Sequence, residues 1–139
     1  MINIEKPEDL LSVALKNILS YRNDKEYLDL VKSFNKSVLI ELEKFYPVLV
    51  SFKDNNIAFK IGKNLKDYDL KVKMDLHTLL DLAYERIGVI KAFLTRKIKI
   101  KGMYKLGSIL RFQKIFLDTL KMVAADPNQY YFKMNQNTR

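Results

Sequence analysis

A chain of 139 residues, 48% of them hydrophobic and with only 4 glycines and 3 prolines, is long enough to bury one full core and too short for two comfortable ones, so a single globular domain, ordered except at its ends, is expected. It has no cysteine and a single histidine, His77, so disulfides, thiolate metal sites, a cysteine nucleophile and a His-rich metal centre are excluded as well. The net charge of +9 is regional: residues 1–85 carry 13 basic and 14 acidic side chains, residues 86–139 carry 12 and 2, and the second region therefore favours an anionic partner.

In chain order, Pro7 with Glu8 and Asp9 reads as a helix start, followed by a stripe of Leu10, Leu11, Ala14, Leu15, Ile18 and Leu19. Asp24 is placed to cap a second helix with Tyr27, Leu28, Val31 and Phe34 inward. From Ser37 the period falls to two. Val38, Ile40 and Leu42, then Val48, Val50 and Phe52, then Ile57, Phe59 and Ile61 predict strands, with Lys53-Asp54-Asn55-Asn56 as a tight turn. Gly62 to Lys66 predicts another turn before a strand of Leu70, Val72 and Met74, and the short connections predict an antiparallel meander. Asp75 then caps a helix running from Leu76 to Ile87, with Leu76, Leu79, Leu80 and Ala83 inward and Gly88 at its end; Val89 to Thr95 reads as a shorter helix.

The segment Ala92 to Phe116, AFLTRKIKIKGMYKLGSILRFQKIF, is the most informative. In Lys97-Ile98-Lys99-Ile100-Lys101 the isoleucines face one side of a strand and the lysines the other, and a crossover brings this strand to the sheet. Gly102 breaks it. A helix from Tyr104 to Ala124 follows, with Leu106, Ile109, Leu110, Gln113, Phe116 and Leu117 on one stripe, and Asp126-Pro127-Asn128 stops it ahead of a loose tail. Between Arg86 and Leu117 stand nine basic residues and no acidic one.

No enzyme motif emerges. His77 reads as an exposed or capping residue of a first helical turn, and Gly102 to Ser108 lacks the lysine that a phosphate loop requires. Asp67/Asp69 and Asp81/Glu85 sit at spacings of solvated faces. The opening residues carry no basic-then-apolar leader and no run approaches ~20 apolar residues, so a cytoplasmic protein is expected; Asn137-Thr138-Arg139 is not a peroxisomal tripeptide.

The order of an Ala92-Phe93 helical turn, Lys97 to Gly102 as KIKIKG, then Leu106 and Leu110-Arg111-Phe112 in a helix ending FQKI resembles the sterol carrier protein 2 lipid-binding domain family, over roughly Phe34 to Met122. The resemblance implies an α+β fold: a twisted, mostly antiparallel five-stranded sheet covered by helices, with an apolar tunnel for sterols, fatty acids, acyl-CoAs or other lipids such as isoprenoids. It implies a single domain over residues 1–139, with a helical extension over 1–35, a core over 36–124 and a tail over 125–139, the extension closing one end of the tunnel or building a homodimer contact. Two positions depart from the family pattern: Arg96 stands where members usually carry a glycine, and Met103 where an acidic residue is common.

On that resemblance the lipid-binding candidates are Leu79, Leu82, Phe93, Leu94, Ile98, Ile100, Ile109, Leu110, Phe112 and Phe116, with Met74 and Met103 as adaptable wall; each is equally readable as plain core. Lys97, Lys99, Lys101, Arg111 and Lys114 are the candidates for transient docking on anionic membranes or headgroups. No catalytic residue, metal or cofactor is expected. Two alternatives stay open. One is a nucleic-acid-binding protein using Phe93, Tyr104 and Phe112 beside the lysines of 86–117, which contains no recognisable nucleic-acid module; the other is a structural subunit taking a partner helix, which predicts a solid core in the isolated chain.

Overall fold

A computed structural model describes residues 2–62, 65–102 and 106–126. The elements are β1 (Asn3–Ile4), α1 (Leu10–Leu19), α2 (Lys25–Phe34), β2 (Ser37–Leu42), β3 (Val48–Lys53), β4 (Asn56–Ile61), β5 (Leu70–Met74), α3 (Leu76–Ala83), α4 (Val89–Leu94), β6 (Lys99–Gly102), α5 (Leu106–Phe112) and α6 (Asp118–Ala125), the last two joined by a π-helical turn at Gln113–Leu117. The fold is α+β, as expected, with six strands rather than five. The additional strand is β1, which pairs in parallel with β4.

The strand order β1-β4-β3-β2-β5-β6 corrects the expected meander. β2, β3 and β4 do form one, through turns in which Lys44 and Asp54 take positive φ. β5 instead crosses over to lie parallel to β2, with Val38 opposite Leu70 and Ile40 opposite Val72. The reason lies in β2 itself. Val38 and Leu39, on opposite faces, are both buried, and a strand covered on both faces belongs inside a sheet with a neighbour on each side. Asp69 fixes the junction: its carboxylate accepts a bond from the Ser37 N–H at 2.8 Å and its own N–H donates to the Ser37 carbonyl at 2.9 Å. β6 pairs antiparallel with β5 and forms the sheet's edge, reached through α3 and α4 as the crossover reading expected.

Both predicted carboxylate caps form, Asp24 accepting from the Tyr27 N–H and Asp75 from the Thr78 N–H. Tyr27, Val31 and Phe34 are buried as read. Two helix boundaries move clearly. α1 begins at Leu10 with Asp9 as its cap, so Pro7 lies outside it. α3 ends at Ala83, where a turn with Glu85 at φ 59° closes it, and Gly88 caps the start of α4 instead of ending α3. The inward face of α3 is also rotated: Thr78, Leu82 and Ala83 are buried, while Leu76 and Leu80 are 43% and 42% exposed. The C-terminal helix runs to Ala125, with three successive buried residues, Ile115, Phe116 and Leu117, in the wide π turn. Met103, Tyr104 and Lys105, the middle of the expected Gly62–Lys66 turn and the expected loose tail beyond Asp126 lie outside the described residues.

Gly102 takes φ +115° at the end of β6, and a Cβ there would stand 2.3 Å from the Asp69 carbonyl oxygen. That close approach requires glycine. The core occupies one face of the sheet, where Val38, Val50, Phe52, Ile57, Leu70 and Ile98 meet Leu15, Leu19 and Tyr27 of α1 and α2 and Phe112, Ile115 and Phe116 of the C-terminal helix.

Candidate functional site

The apolar strand faces and the helices do not close completely on each other. Between them lies a cavity of about 220 Å³, lined from α1 by Leu11, Ala14, Leu15 and Ile18, and from the sheet by Ile40, Leu42, Val48, Leu70, Val72, Met74, Ile98 and Ile100. Leu76, Leu79, Leu82 and Val89 from α3 and α4, and Ile109, Phe112, Gln113, Phe116 and Leu117 from the C-terminal helix, complete it. Among these residues only Gln113 carries a polar side chain, and none is titratable. Ala14 and Leu76 line the cavity and are also exposed to solvent, so it reaches the surface between α1 and α3.

Local bonds hold this wall in place. The Tyr46 hydroxyl, from the β2–β3 connection, accepts the Leu11 N–H at 3.0 Å and donates to Asp9 at 2.7 Å, anchoring the start of α1 over the strand ends. Partial burial pushes the Asp9 carboxyl upward, but hydrogen bonds from Ser12 and Tyr46 outweigh it and hold the group below its ordinary range. Behind the wall the Tyr27 hydroxyl donates to the Leu19 carbonyl, joining α1 to α2, and burial pushes this phenol well above its ordinary pKa. Phe112 stacks on Phe34 at 6.1 Å and on Phe116 at 5.6 Å between ring centroids, so the aromatic part of the lining is a rigid stack.

Seven of the ten candidate lipid-binding residues lie on this cavity: Leu79, Leu82, Ile98, Ile100, Ile109, Phe112 and Phe116. Phe93, Leu94 and Leu110 do not; they are 47%, 73% and 47% exposed. On α4 the fully buried residue is Ala92, whose carbonyl accepts the N–H groups of Lys97 and Ile98, and the backbone approaches the core so closely there that the larger side chains turn outward. Leu110 stands at the rim of a stripe centred on Ile109, Phe112 and Phe116. The residues of α1, β2 and β3, and Leu70 and Val72 of β5, are not among the ten candidates, although the helical stripe and the strand alternation place them on the same inner side; Met74, expected as adaptable wall, lines it.

The five basic candidates are all exposed but do not share one face. Lys99 and Lys101 stand opposite Lys73 and Lys71 across β5 and β6, on the side of the sheet away from the core, with Glu41 3.8 Å from Lys71 and 3.6 Å from Lys73. Lys97 precedes the strand, and Arg111 and Lys114 stand on the outer side of the C-terminal helix. His77 is exposed, 3.3 Å from Asp81, whose carboxyl is held low chiefly by the Arg86 guanidinium. Among the described residues no cluster of metal-ligating side chains occurs, and no helix is long and apolar enough to cross a membrane.

Comparison with known proteins agrees with this architecture. The sterol carrier protein domain 2 of Helicoverpa armigera superposes with a TM-score of 0.60 at 17% identity, covering 86% of this chain and 95% of that one. A crystal structure of sterol carrier protein 2 gives 0.58 at 11% identity, covering 78% and 94%. The sec-alkylsulfatase Pisa1 from Pseudomonas sp. gives 0.54 at 16% identity over 64% of this chain, which spans only 14% of that enzyme's length. A search of curated protein sequences returns no match. At the level of sequence, the family model described as the SCP-2 sterol transfer family matches residues 15–116, starting upstream of the Phe34 boundary drawn from the motifs. That match spans most of the chain, its neighbours share the fold, and the protein therefore belongs to the SCP-2 sterol transfer family.

Proposed function

We propose that the protein is a non-enzymatic lipid carrier that holds an acyl or isoprenoid chain, or a sterol, in the cavity between the sheet and its helices. The observation that carries this is the lining: a space of about 220 Å³ walled by apolar side chains, with Gln113 as its one polar group and no acid, base or nucleophile. Such a site supplies affinity by burial and orientation by one amide. Each methylene taken from water contributes about 0.8 kcal/mol, or roughly a fourfold change in affinity. The volume falls short of the roughly 300–1,000 Å³ of ordinary small-molecule sites, so a long chain enters only as the helical wall moves outward.

Membership of the family supports lipid binding and transfer, and the four-lysine field of Lys71, Lys73, Lys99 and Lys101 suits anionic headgroups. The partner-helix alternative predicted a solid core, whereas a cavity is present. The nucleic-acid alternative loses Phe112, which is packed inside the stack. Native mass spectrometry of the purified protein, followed by solvent extraction, tests the proposal: a stoichiometric lipid is expected. In a titration series of saturated fatty acids, each two-carbon shortening weakens binding about 15-fold while the chain stays within the cavity. An apo mass together with no uptake of any fatty acid would sink the reading.

A further inference from the structure

The helices that cover the cavity carry a second apolar surface on their outer side. Of the fourteen large apolar residues left exposed among the described residues, six belong to the α3–α4 hairpin: Leu76, Leu80, Tyr84, Ile90, Phe93 and Leu94. Leu76 stands at the cavity mouth, but Leu80 of α3 and Tyr84, the residue that caps its end, are four apart and stand on the same side. On the shorter α4, Ile90 and Leu94 have the same spacing and are the most exposed of the six, at 76% and 73%. Single exposed apolar residues need no explanation, but the five that do not line the cavity, clustered on two consecutive helices, mark a surface that meets something apolar.

The charge of the hairpin identifies the partner. From Ile87 to Gly102 the chain has no acidic residue, and Lys91, Arg96 and Lys97 stand exposed among and just beyond the apolar side chains. The acids of α3 are engaged locally, Asp81 by Arg86 at 2.7 Å and Glu85 by Lys121 at 3.8 Å. A second copy of this chain docking by a two-fold axis would bring this cationic patch, with Lys91, Arg96 and Lys97, against the same patch of its partner, which like-charge repulsion opposes. An anionic bilayer offers both halves of the match, acyl chains for the apolar side and phosphates for the cations.

We propose that the α3–α4 hairpin is a membrane-engaging lid: it lays Leu80, Tyr84, Ile90, Phe93 and Leu94 into the headgroup–acyl boundary of an anionic bilayer, with Lys91, Arg96 and Lys97 on the phosphates. The inner side of the same hairpin, through Leu76, Leu79, Leu82 and Val89, is cavity wall. Seating the hairpin in lipid therefore loosens the wall where the cavity reaches the surface, and an apolar ligand passes between bilayer and cavity without crossing water. The lid function rests on the lipid-carrier reading; the docking does not.

Two measurements separate them. The chain lacks tryptophan, so Leu94→Trp supplies a single reporter. On vesicles of phosphatidylcholine and phosphatidylglycerol in equal parts its emission shifts to the blue and is quenched by brominated lipid, and the double variant Ile90→Asp/Leu94→Asp loses at least tenfold in vesicle affinity. Because neither residue lines the cavity, uptake of a fluorescent fatty acid in solution stays within twofold in that variant. Unshifted Leu94→Trp emission, equal vesicle binding by the double variant, or a dimer that the double variant dissolves without any vesicle binding overturns the proposal. Fatty-acid uptake absent from the wild type while vesicle binding still depends on Ile90 and Leu94 overturns the carrier reading and leaves the docking upheld.

Discussion

Two walls of the cavity are made of the same residue types and behave oppositely. The sheet wall, Leu42, Val48, Leu70 and Val72 with the half-buried Ile40, sits in a continuous ladder from β3 through β2 and β5, and apart from Ile40 its side chains are buried. The hairpin wall, Leu76, Leu79, Leu82 and Val89, belongs to two short helices whose other side leaves five large apolar residues in water. Leucine and isoleucine do not by themselves make a core; the backbone hydrogen-bonding frame decides which of their faces is closed. A ladder ties each strand to its neighbours residue by residue, whereas a helix satisfies its own backbone and is held only by side-chain packing, so it can move.

The largest effect tests the rigid wall. Gly102→Ala places a methyl against the Asp69 carbonyl oxygen in a left-handed backbone, and chemical denaturation is expected to show a loss of about 3 kcal/mol or more, centred on β5 and β6. A loss below ~1 kcal/mol would mean that this sheet edge is as yielding as the hairpin. Next, Leu82→Ala and Leu80→Ala compare the two sides of α3. The first removes a buried side chain, 1% exposed, and costs about 2–4 kcal/mol, while the second stays within about 0.5 kcal/mol. Similar losses at both positions would show the outer side to be packed against something in solution.

Smaller effects sharpen the account of the hairpin's ends. Arg96 has φ +60° at the exit of α4, in the position where the family pattern places a glycine. Arg96→Gly relieves a left-handed strain of roughly 1–2 kcal/mol, partly offset by the greater freedom of glycine in the unfolded chain, so a net gain of about 0.5 kcal/mol is expected. A net loss would show that the arginine side chain holds the turn. Smallest is the acid response. The Thr78 hydroxyl and N–H hold the Asp75 carboxyl below its ordinary value of 3.8, and Arg22 holds Asp24 at about 2, its bond outweighing that of the Tyr27 N–H. Groups depressed on folding stabilise fully above their unfolded pKa, and that contribution is lost as pH falls through the folded value. Thermal melts from pH 5 to pH 2 should therefore decline, and less steeply in Asp75→Asn, which keeps a capping oxygen but does not titrate. An identical slope in the variant would remove Asp75 from the explanation.

Much of this was legible in the chain. Alternation over Val38 to Leu42, Val48 to Phe52 and Ile57 to Ile61, the Asp24 and Asp75 caps, and the second half of the KIKIKG run, which forms β6 from Lys99 instead of Lys97, are local patterns, and local patterns specify elements because side-chain period and backbone geometry are coupled within a few residues. The family motifs are equally local, and they led to the family that the match over residues 15–116 establishes. Three things required the tertiary structure. β5 lies beside β2 because a strand buried on both faces needs two neighbours, a condition no loop length reveals. Phe93 and Leu94 point outward because Ala92 lets the backbone of α4 approach the core, so the smallest residue of the turn, not the largest, is the buried one. The basic residues that run together in sequence part company in space, Lys99 and Lys101 on the sheet and Arg111 and Lys114 on the last helix, because consecutive elements pack as different layers. Periodicity within an element was determined by the sequence alone; which side of that element is closed, and by what, was decided by packing between residues far apart along the chain.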